Sequence, residues 1–275
     1  MNSNENFSPA EIIKSVNDQI KNLYKHTCSV SKMCNFLKPV FDDAGMAEHC
    51  AKKGLEDPDY KYAGMTAEQI LESWHEKSDT SKKYGSLLDT YAGMFFNKKD
   101  KEMSSWKKEH DFDNDERLHS TCQGINDFYE WLTTNTPYRY VTRELPVYCR
   151  SNNNQCINGR FDCLFYNEET NSYIIIDWKT TDDITTKNVY KHYLLGPAYE
   201  LDECDMNIYT IQLHIYKKAL VETYRLTSYD RISVYVCNLL KEPNENGKFF
   251  KLYKQNFDYN PDFLNKCIDY ANKKL

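Results

Sequence analysis

The sequence predicts an α/β fold in which helices flank a central mixed β-sheet, and three observations lead to this expectation. Residues 173–176 read Tyr-Ile-Ile-Ile, and such a run with no polar side chain at alternate positions is typical of a strand buried on both faces. Two more candidate strands, residues 140–148 and 158–166, precede it. Segments with helical hydrophobic spacing lie before and after these strands, so helices would cover the sheet.

The chain before residue 137 is predicted to be mainly helical. Ser-Pro-Ala-Glu opens a helix over residues 8–25, and a second capping box, Thr-Ala-Glu-Gln, opens another helix at residue 66. Residues 97–116 carry many charges of both signs without an apolar period, which predicts a surface loop. The other predicted helices of this region cover residues 29–41, 42–53 (closed by Gly54), 82–96 and 118–134.

The part of the chain after the three candidate strands is predicted to complete the core. Residues 182–205 are irregular, and residues 206–226 and 261–274 are predicted to be helices. Residues 232–239 and 249–257 are predicted to pair as strands. We expect one domain over residues 1–275, with a helical region over 1–136 and an α/β core over 137–275.

Composition limits the class of protein. The 275 residues are 40% hydrophobic, which is enough for a sizeable core, and the net charge of −6 means that any nucleic-acid contact must come from a local groove. Ten cysteines, an N-terminus without an apolar signal segment and the lack of Cys-x-x-Cys favour buried free thiols inside the cell. No run is long and apolar enough to span a membrane.

Three acidic residues and one lysine lie on or beside the candidate strands. Asp177 and Lys179 end the apolar run and share one face, while Trp178 points the opposite way. A hairpin between the last two strands would bring Asp162 close to Asp177, and Glu144 lies on the strand before. Because buried like charges repel one another unless a cation lies between them, the pattern indicates a cation site.

Asp-x-Lys alone is a weak signal, because the chain contains it twice. Asp59-Tyr60-Lys61 follows Pro58 and has no apolar strand before it, so it is predicted to be a solvated loop. The alternative for Asp177-Trp178-Lys179 is an ordinary surface ion pair between Asp177 and Lys179, beside an unrelated Asp162.

Four short motifs occur in the order found in the PD-(D/E)XK nuclease superfamily, which the chain resembles over residues 83–224. These are Glu144, Gly159-x-x-Asp162, Asp177-x-Lys179-Thr180 and Gln212-x-x-x-Tyr216. The last is similar to the motif of the RecB-like exonuclease branch, which includes phage, viral and mitochondrial DNA exonucleases. The resemblance implies a restriction-endonuclease-like core.

The RecB-like branch also has Gly-[Ser/Thr]-x-x-His on a helix, where this chain reads Gly85-Ser86-Leu87-Leu88-Asp89. Aspartate therefore replaces the histidine ligand, and its oxygen still suits a hard cation. The alternative is an exposed helical aspartate with no ligand role.

The resemblance implies that Asp162, Asp177 and the Trp178 carbonyl bind Mg²⁺ or Mn²⁺, with Glu144 and Asp89 completing the coordination or holding a second ion. Lys179 would orient or deprotonate the attacking water, with a pKa lowered by burial and by the nearby ions. No iron-sulfur cluster is expected, because only two widely separated cysteines follow the last motif.

We expect DNA to be the partner. Gln212 and Tyr216 would hold the strand or the scissile phosphate, and Arg160 and Thr180 lie within or beside the motifs. Lys187 belongs to a segment that mixes basic and aromatic residues, which suits a single-strand channel but is also ordinary loop composition.

The leading hypothesis is a metal-dependent DNA exonuclease of recombination, repair or genome processing. A catalytically silent DNA-binding or assembly module of the same fold and a structure-specific endonuclease are the alternatives.

Overall fold

The described residues of this computed structural model form a mixed sheet of six strands flanked by helices, which confirms the predicted fold class. The structure describes residue 13, residues 27–225 and residues 228–275. The strands are β1 (Cys28–Ser29), β2 (Arg139–Arg150), β3 (Cys156–Asn167), β4 (Ser172–Lys179), β5 (Ile232–Leu239) and β6 (Phe250–Tyr253).

Strand β3 organises the sheet because three strands pair with it. Antiparallel β2 pairs along nearly the whole of one edge, so β1 and β4 share the other edge. Parallel β1 pairs with Ile157 and Asn158, while antiparallel β4 pairs only from Cys163 onward. Beyond Ile176, β4 continues beside parallel β5, and β6 completes the sheet. Strands β3 and β4 therefore separate at one point.

Helices cover both faces of the sheet. They are α1 (Val30–Phe36), α2 (Asp43–Glu56), α3 (Ala67–Phe96), α4 (Asp100–Glu109), α5 (Glu116–Asn135), α6 (Asp205–Tyr224) and α7 (Pro261–Asn272). One layer packs α1, α6 and α7 on the sheet, and the other packs α3, α4 and α5. Tyr173 and Ile175 of β4 point into the first layer, whereas Ile174 and Ile176 point into the second. This alternation confirms that β4 is buried on both faces.

The N-terminal helices differ from the prediction in four places, of which the first is that α1 ends at Phe36 and not at residue 41. Helix α3 is one continuous helix of 30 residues, because the charged residues in its middle are helix formers that remain exposed and include no breaker. Helix α4 lies where a loop was predicted, because Trp106 is buried against Tyr91 and anchors the segment. Gly54 does not end α2; it permits close contact instead, since an added Cβ would lie 2.7 Å from the Tyr62 carbonyl oxygen.

The predicted helix over residues 8–25 lies outside the described residues, apart from Ile13, which is buried in the layer of α1, α6 and α7. All ten cysteines are free thiols and nine of them are buried. Within the described ranges, no helix combines the length and apolar character that crossing a bilayer requires.

His214 of α6 is a buried titratable group outside the cation site. It is 0% exposed, its ring meets the rings of Phe257 and Tyr259 edge-on, and neither ring nitrogen has a hydrogen-bond partner among the described residues. Burial, together with the charge of Lys217, lowers the pKa of His214 from 6.5 to about 4. Between about pH 6.5 and pH 4, His214 therefore binds a proton in the unfolded chain but stays neutral in the folded protein.

We expect this histidine to destabilise the protein in acid. Because its folded pKa lies below its unfolded pKa, stability falls as the pH drops from about 6.5 to about 4, by about 3 kcal/mol at most. Urea unfolding at pH 7 and pH 4.5 should show a smaller acid loss for His214→Leu than for the wild type. His75→Leu, at an exposed position of α3, is the control. An equal acid loss in all three proteins would contradict this assignment.

Candidate active site

Two carboxylates and a lysine meet where β3 and β4 separate. The Trp178 backbone N–H donates a hydrogen bond of 2.6 Å to Oδ2 of Asp162, which ties the two strands together just beyond their last pair. Asp177 is only 4% exposed and forms an ion pair with Lys179. The structure thus confirms that Asp177 and Lys179 share a face, and the Trp178 ring packs edge-on against Phe128 in the opposite layer.

The environment favours the protonated form of Asp162. Burial raises its pKa most, and the charge of Asp177 raises it further, to about 8 from an ordinary value of 3.8. Lys179 and the Trp178 N–H lower the pKa of Asp162, but their effect is smaller than that of burial and Asp177. Asp162 therefore tends to hold a proton near neutral pH unless a cation balances the two carboxylates.

The Lys179 ammonium is held in its charged form. Burial lowers the pKa of Lys179, but Asp177 and Asp162 outweigh burial and keep it above the ordinary value. Its Nζ also lies 4.7 Å from the centre of the Tyr209 ring. This direction is opposite to the predicted lowering, because the charges of the two neighbouring carboxylates outweigh the effect of burial.

A pocket of about 230 Å³ opens onto this group. Its lining includes Asp162, Trp178, Lys179 and Thr180 from the sheet, together with Gly85, Leu88 and Asp89 from α3. The helix that carries the first motif therefore lines the same pocket as Asp162. We refer to this opening as the carboxylate pocket.

Asp89 lines the carboxylate pocket, but its carboxylate forms an ion pair with Arg143, which also donates to the Asp89 carbonyl at 3.1 Å. The Asp89 side chain is 58% exposed and that of Arg143 is 18% exposed. Sequence reasoning missed Arg143; its position beside Glu144 was the only available signal. A cation at Asp89 would have to share this carboxylate with the guanidinium.

Glu144 lies level with Asp162 across the β2–β3 ladder, because its neighbours Arg143 and Leu145 pair with Cys163 and Phe161. Its φ of 49° is left-handed, a conformation that costs on the order of 1–3 kcal/mol for a residue other than glycine. Burial, followed by the charge of Asp89, raises the pKa of Glu144. The left-handed backbone interrupts the regular conformation of β2 at this position.

The predicted convergence of three or more carboxylates is only partly present. Within the described ranges, no three His, Cys, Asp or Glu side chains are gathered closely enough to hold a metal ion. Asp177 is nevertheless close enough to Asp162 for its charge to raise the pKa of Asp162. Since Mg²⁺ is commonly held by one or two carboxylates together with water and substrate phosphates, these two hard oxygen donors fit such an ion.

The Gln212 and Tyr216 side chains form a pair beside the carboxylates. Gln212 Nε2 donates to the Tyr216 hydroxyl at 3.0 Å, and the Tyr216 ring packs against Phe161 with the ring centres 5.9 Å apart. Burial and then the charge of Asp177 raise the pKa of Tyr216. Tyr216 is only 3% exposed, whereas Gln212 is partly exposed, so Gln212 is the member of the pair that solvent can reach.

The glycine of Gly-x-x-Asp has a packing reason. A Cβ on Gly159 would lie 2.7 Å from Cε1 of Tyr216 and 2.9 Å from Cγ2 of Val30. Glycine at this position therefore lets α6 and α1 pack directly onto β3, which brings the Gln212–Tyr216 pair close to Asp162.

We expect Gly159→Ala to destabilise the protein by about 1–3 kcal/mol, because overpacking forces the Tyr216 ring or β3 to move. Urea unfolding measures this effect. Gly85→Ala is the matched control, since a Cβ there meets no atom within 4 Å and alanine favours a helix. Equal stability of Gly159→Ala and the wild type would show that Tyr216 and Val30 can move away from the added methyl group without a cost in free energy.

The other predicted DNA-contact residues lie in different surroundings. Thr180 lines the carboxylate pocket, and Arg160 is exposed on β3. Lys187 is exposed in the irregular segment before α6 and is not part of the pocket lining.

A solved structure is similar to part of this chain at low sequence identity. The match to the crystal structure of SSO0001 has 10% sequence identity and a TM-score of 0.29. It covers 70% of this chain and 74% of the SSO0001 chain. A likeness at this level carries no argument about function. No curated protein sequence matches the chain.

Comparison with protein families is decisive by contrast. The sequence model of the PD-(D/E)XK nuclease superfamily matches residues 55–273, which is more than three quarters of the chain. The match includes α3 and every strand except β1. It therefore includes all the residues gathered where β3 and β4 separate, a place that we call the strand fork. The chain belongs to the PD-(D/E)XK nuclease superfamily.

Proposed function

We propose that the protein is a metal-dependent DNA nuclease that degrades DNA from its ends. The observation that carries the proposal is the strand fork, where Asp162 accepts from the Trp178 N–H, Asp177 pairs with Lys179, and Asp162 and Lys179 line a pocket. Folding alone does not explain this group, because burial and the charge of Asp177 raise the pKa of the Asp162 carboxyl.

Asp162 and Asp177 would hold a Mg²⁺ or Mn²⁺ ion, and Glu144, Asp89 and the Trp178 carbonyl are further candidate ligands. When bound, such an ion supplies charge neutralisation at the scissile phosphate and activation of the attacking water. The Trp178 N–H fixes the rotamer of Asp162, so this carboxyl is preorganised for binding.

Lys179 would orient the attacking water and stabilise negative charge that develops on the phosphate. Its ion pair with Asp177 supports this role, because an ammonium held between carboxylates keeps its proton and acts as a donor. Gln212 would contact the strand from α6, and Tyr216 would fix the orientation of the Gln212 amide.

Preference for DNA ends is supported by the Gln212–Tyr216 pair beside the carboxylates, since this motif is similar to that of the RecB-like exonucleases. One observation favours the silent DNA-binding alternative: Asp89, at the position of the family histidine, is engaged by Arg143. A role in recombination, repair or genome processing follows from end-dependent degradation.

A time course on end-labelled linear DNA and closed circular DNA, with Mg²⁺, Mn²⁺ or EDTA, tests the proposal. We expect linear DNA to be degraded from its ends with either ion and to stay intact in EDTA. Nicking of closed circles would show an endonuclease instead. Tight binding without cleavage under every condition would establish the silent module.

A further inference from the structure

A second pocket adjoins the carboxylate pocket and shares Lys179 and Thr180 with it. Its volume is about 280 Å³, and the rest of its lining is Lys77, Ser81, Arg117, Thr181 and Asp182. The carboxylate pocket contains Asp89 and Asp162, whereas this neighbour contains basic side chains from two helices, α3 and α5. We call it the basic pocket.

The basic pocket carries an excess of positive charge. Asp182 pairs with Lys77 at 3.6 Å and with Lys241 at 2.5 Å. Lys77 and Arg117 of the lining exceed the carboxylate of Asp182 by one charge, and Lys241 adds a further positive charge from outside the lining. All of these side chains are at least partly accessible, and the Lys77 side chain is 69% exposed. An incoming anion would therefore meet positive potential that Asp182 only partly neutralises.

The Arg117 guanidinium is fixed in place before any ligand arrives. It lies 4.5 Å from the centre of the Tyr84 ring, a cation–π contact. The Tyr84 hydroxyl donates to the Asp115 carboxylate at 2.8 Å, and Asp115 also caps α5 by accepting from the Leu118 N–H at 2.9 Å. This chain of contacts orders a side chain whose planar fork suits phosphate oxygens.

We infer that the basic pocket binds a backbone phosphate of the nucleic-acid strand next to the phosphate that is cleaved. The inference rests on the proposed nuclease function. Lys179 and Thr180 form the wall common to both pockets, so a strand that places one phosphate at Asp162 and Asp177 can place a neighbouring phosphate at Arg117. Arg117 and Lys77 bind this phosphate, and Tyr84 is a positioning residue for Arg117.

The test measures binding of a labelled single-stranded oligonucleotide in EDTA by fluorescence anisotropy over a salt series, with cleavage kinetics in Mn²⁺ run in parallel. For Arg117→Ala we expect about 10-fold weaker binding, a salt slope reduced by about 0.7 and a raised KM with kcat largely kept. Asp182→Asn should bind more tightly than the wild type, because it removes the only carboxylate in the lining. Tyr84→Leu should weaken binding less than Arg117→Ala. Lys101→Ala, an exposed lysine on α4, is the control and should bind like the wild type.

The outcomes separate this inference from the function on which it rests. If the wild type cleaves DNA and Arg117→Ala keeps the same KM and salt slope as Lys101→Ala, the basic pocket holds no phosphate and the inference is wrong. A wild type that neither binds nor cleaves DNA overturns the nuclease proposal and the inference together. Opposite shifts in affinity for Arg117→Ala and Asp182→Asn would support the inference, because loss of packing would weaken both variants.

Discussion

Lys179→Met is expected to lower the rate of metal-dependent DNA cleavage by about 10²- to 10³-fold, the range typical for loss of one preorganised donor that stabilises charge in the transition state. Methionine keeps the apolar stem but removes the ammonium that pairs with Asp177. It also leaves a carboxylate that is 4% exposed without its counter-charge, so some loss of stability accompanies the loss of activity. Cleavage rates are measured on folded protein at saturating Mn²⁺.

The second Asp-x-Lys of the chain provides the matched control. Lys61 is exposed and lies near the Tyr62 ring, away from the strand fork, so Lys61→Met should cleave DNA at the wild-type rate. Lys179→Arg should keep more activity than Lys179→Met if the positive charge orients the water. A folded Lys179→Met protein with the wild-type rate would remove this lysine from the mechanism.

Asp162→Asn should stabilise the protein in EDTA while it abolishes stabilisation by Mn²⁺. Asparagine can still accept from the Trp178 N–H, but it carries no charge beside Asp177. We expect a gain of about 1–3 kcal/mol in the free energy of unfolding at pH 8, where the buried wild-type carboxyl either carries an unfavourable charge or keeps a proton that the unfolded chain has released.

The pH dependence of this effect has a definite sign. The folded pKa of Asp162, about 8, lies above its ordinary value of 3.8, so the folded protein keeps a proton that the unfolded chain releases. This contribution to stability is fully present below about pH 4 and is lost as the pH rises to about 8. The advantage of Asp162→Asn should therefore grow with pH.

Urea unfolding at several pH values, with and without Mn²⁺, measures both effects. Mn²⁺ should stabilise the wild type, because it binds the folded state, but should not stabilise Asp162→Asn. Asp79→Asn, at an exposed ion pair on α3, should behave like the wild type. If Asp162→Asn were less stable than the wild type at pH 8 without metal, the repulsion assigned to the two carboxylates would be wrong.

Local patterns were sufficient to predict five of the six strands and the meeting of Asp177 with Lys179, whereas the two-residue strand β1 was missed. The apolar run that ends in Asp177 and Lys179 is predicted to be a strand, and the alternation of a strand sends successive side chains to opposite faces of the sheet. The hairpin turn before it sets its antiparallel pairing with β3. The Asp162 and Asp177 placement follows from those two facts. Gly159 was recognised as part of a motif, although its packing against Tyr216 became clear only from the fold.

Contacts between distant segments could not be predicted in this way. The Asp89–Arg143 ion pair joins α3 to β2, and the basic pocket brings Lys77 and Arg117 together from separate helices. Helix α4 was missed because one buried Trp106 anchors it, and a single anchor leaves no period in the sequence. In each case the signal lies in tertiary packing and not in local spacing.

The most direct test of the account is to locate Mn²⁺ by anomalous diffraction from crystals grown or soaked with the ion. The account expects a Mn²⁺ peak within coordination distance of carboxylate oxygens of both Asp162 and Asp177 at the strand fork, with Lys179 beside it. A Mn²⁺ ion bound elsewhere, or a fork that stays free of Mn²⁺ at concentrations that support DNA cleavage, would contradict it.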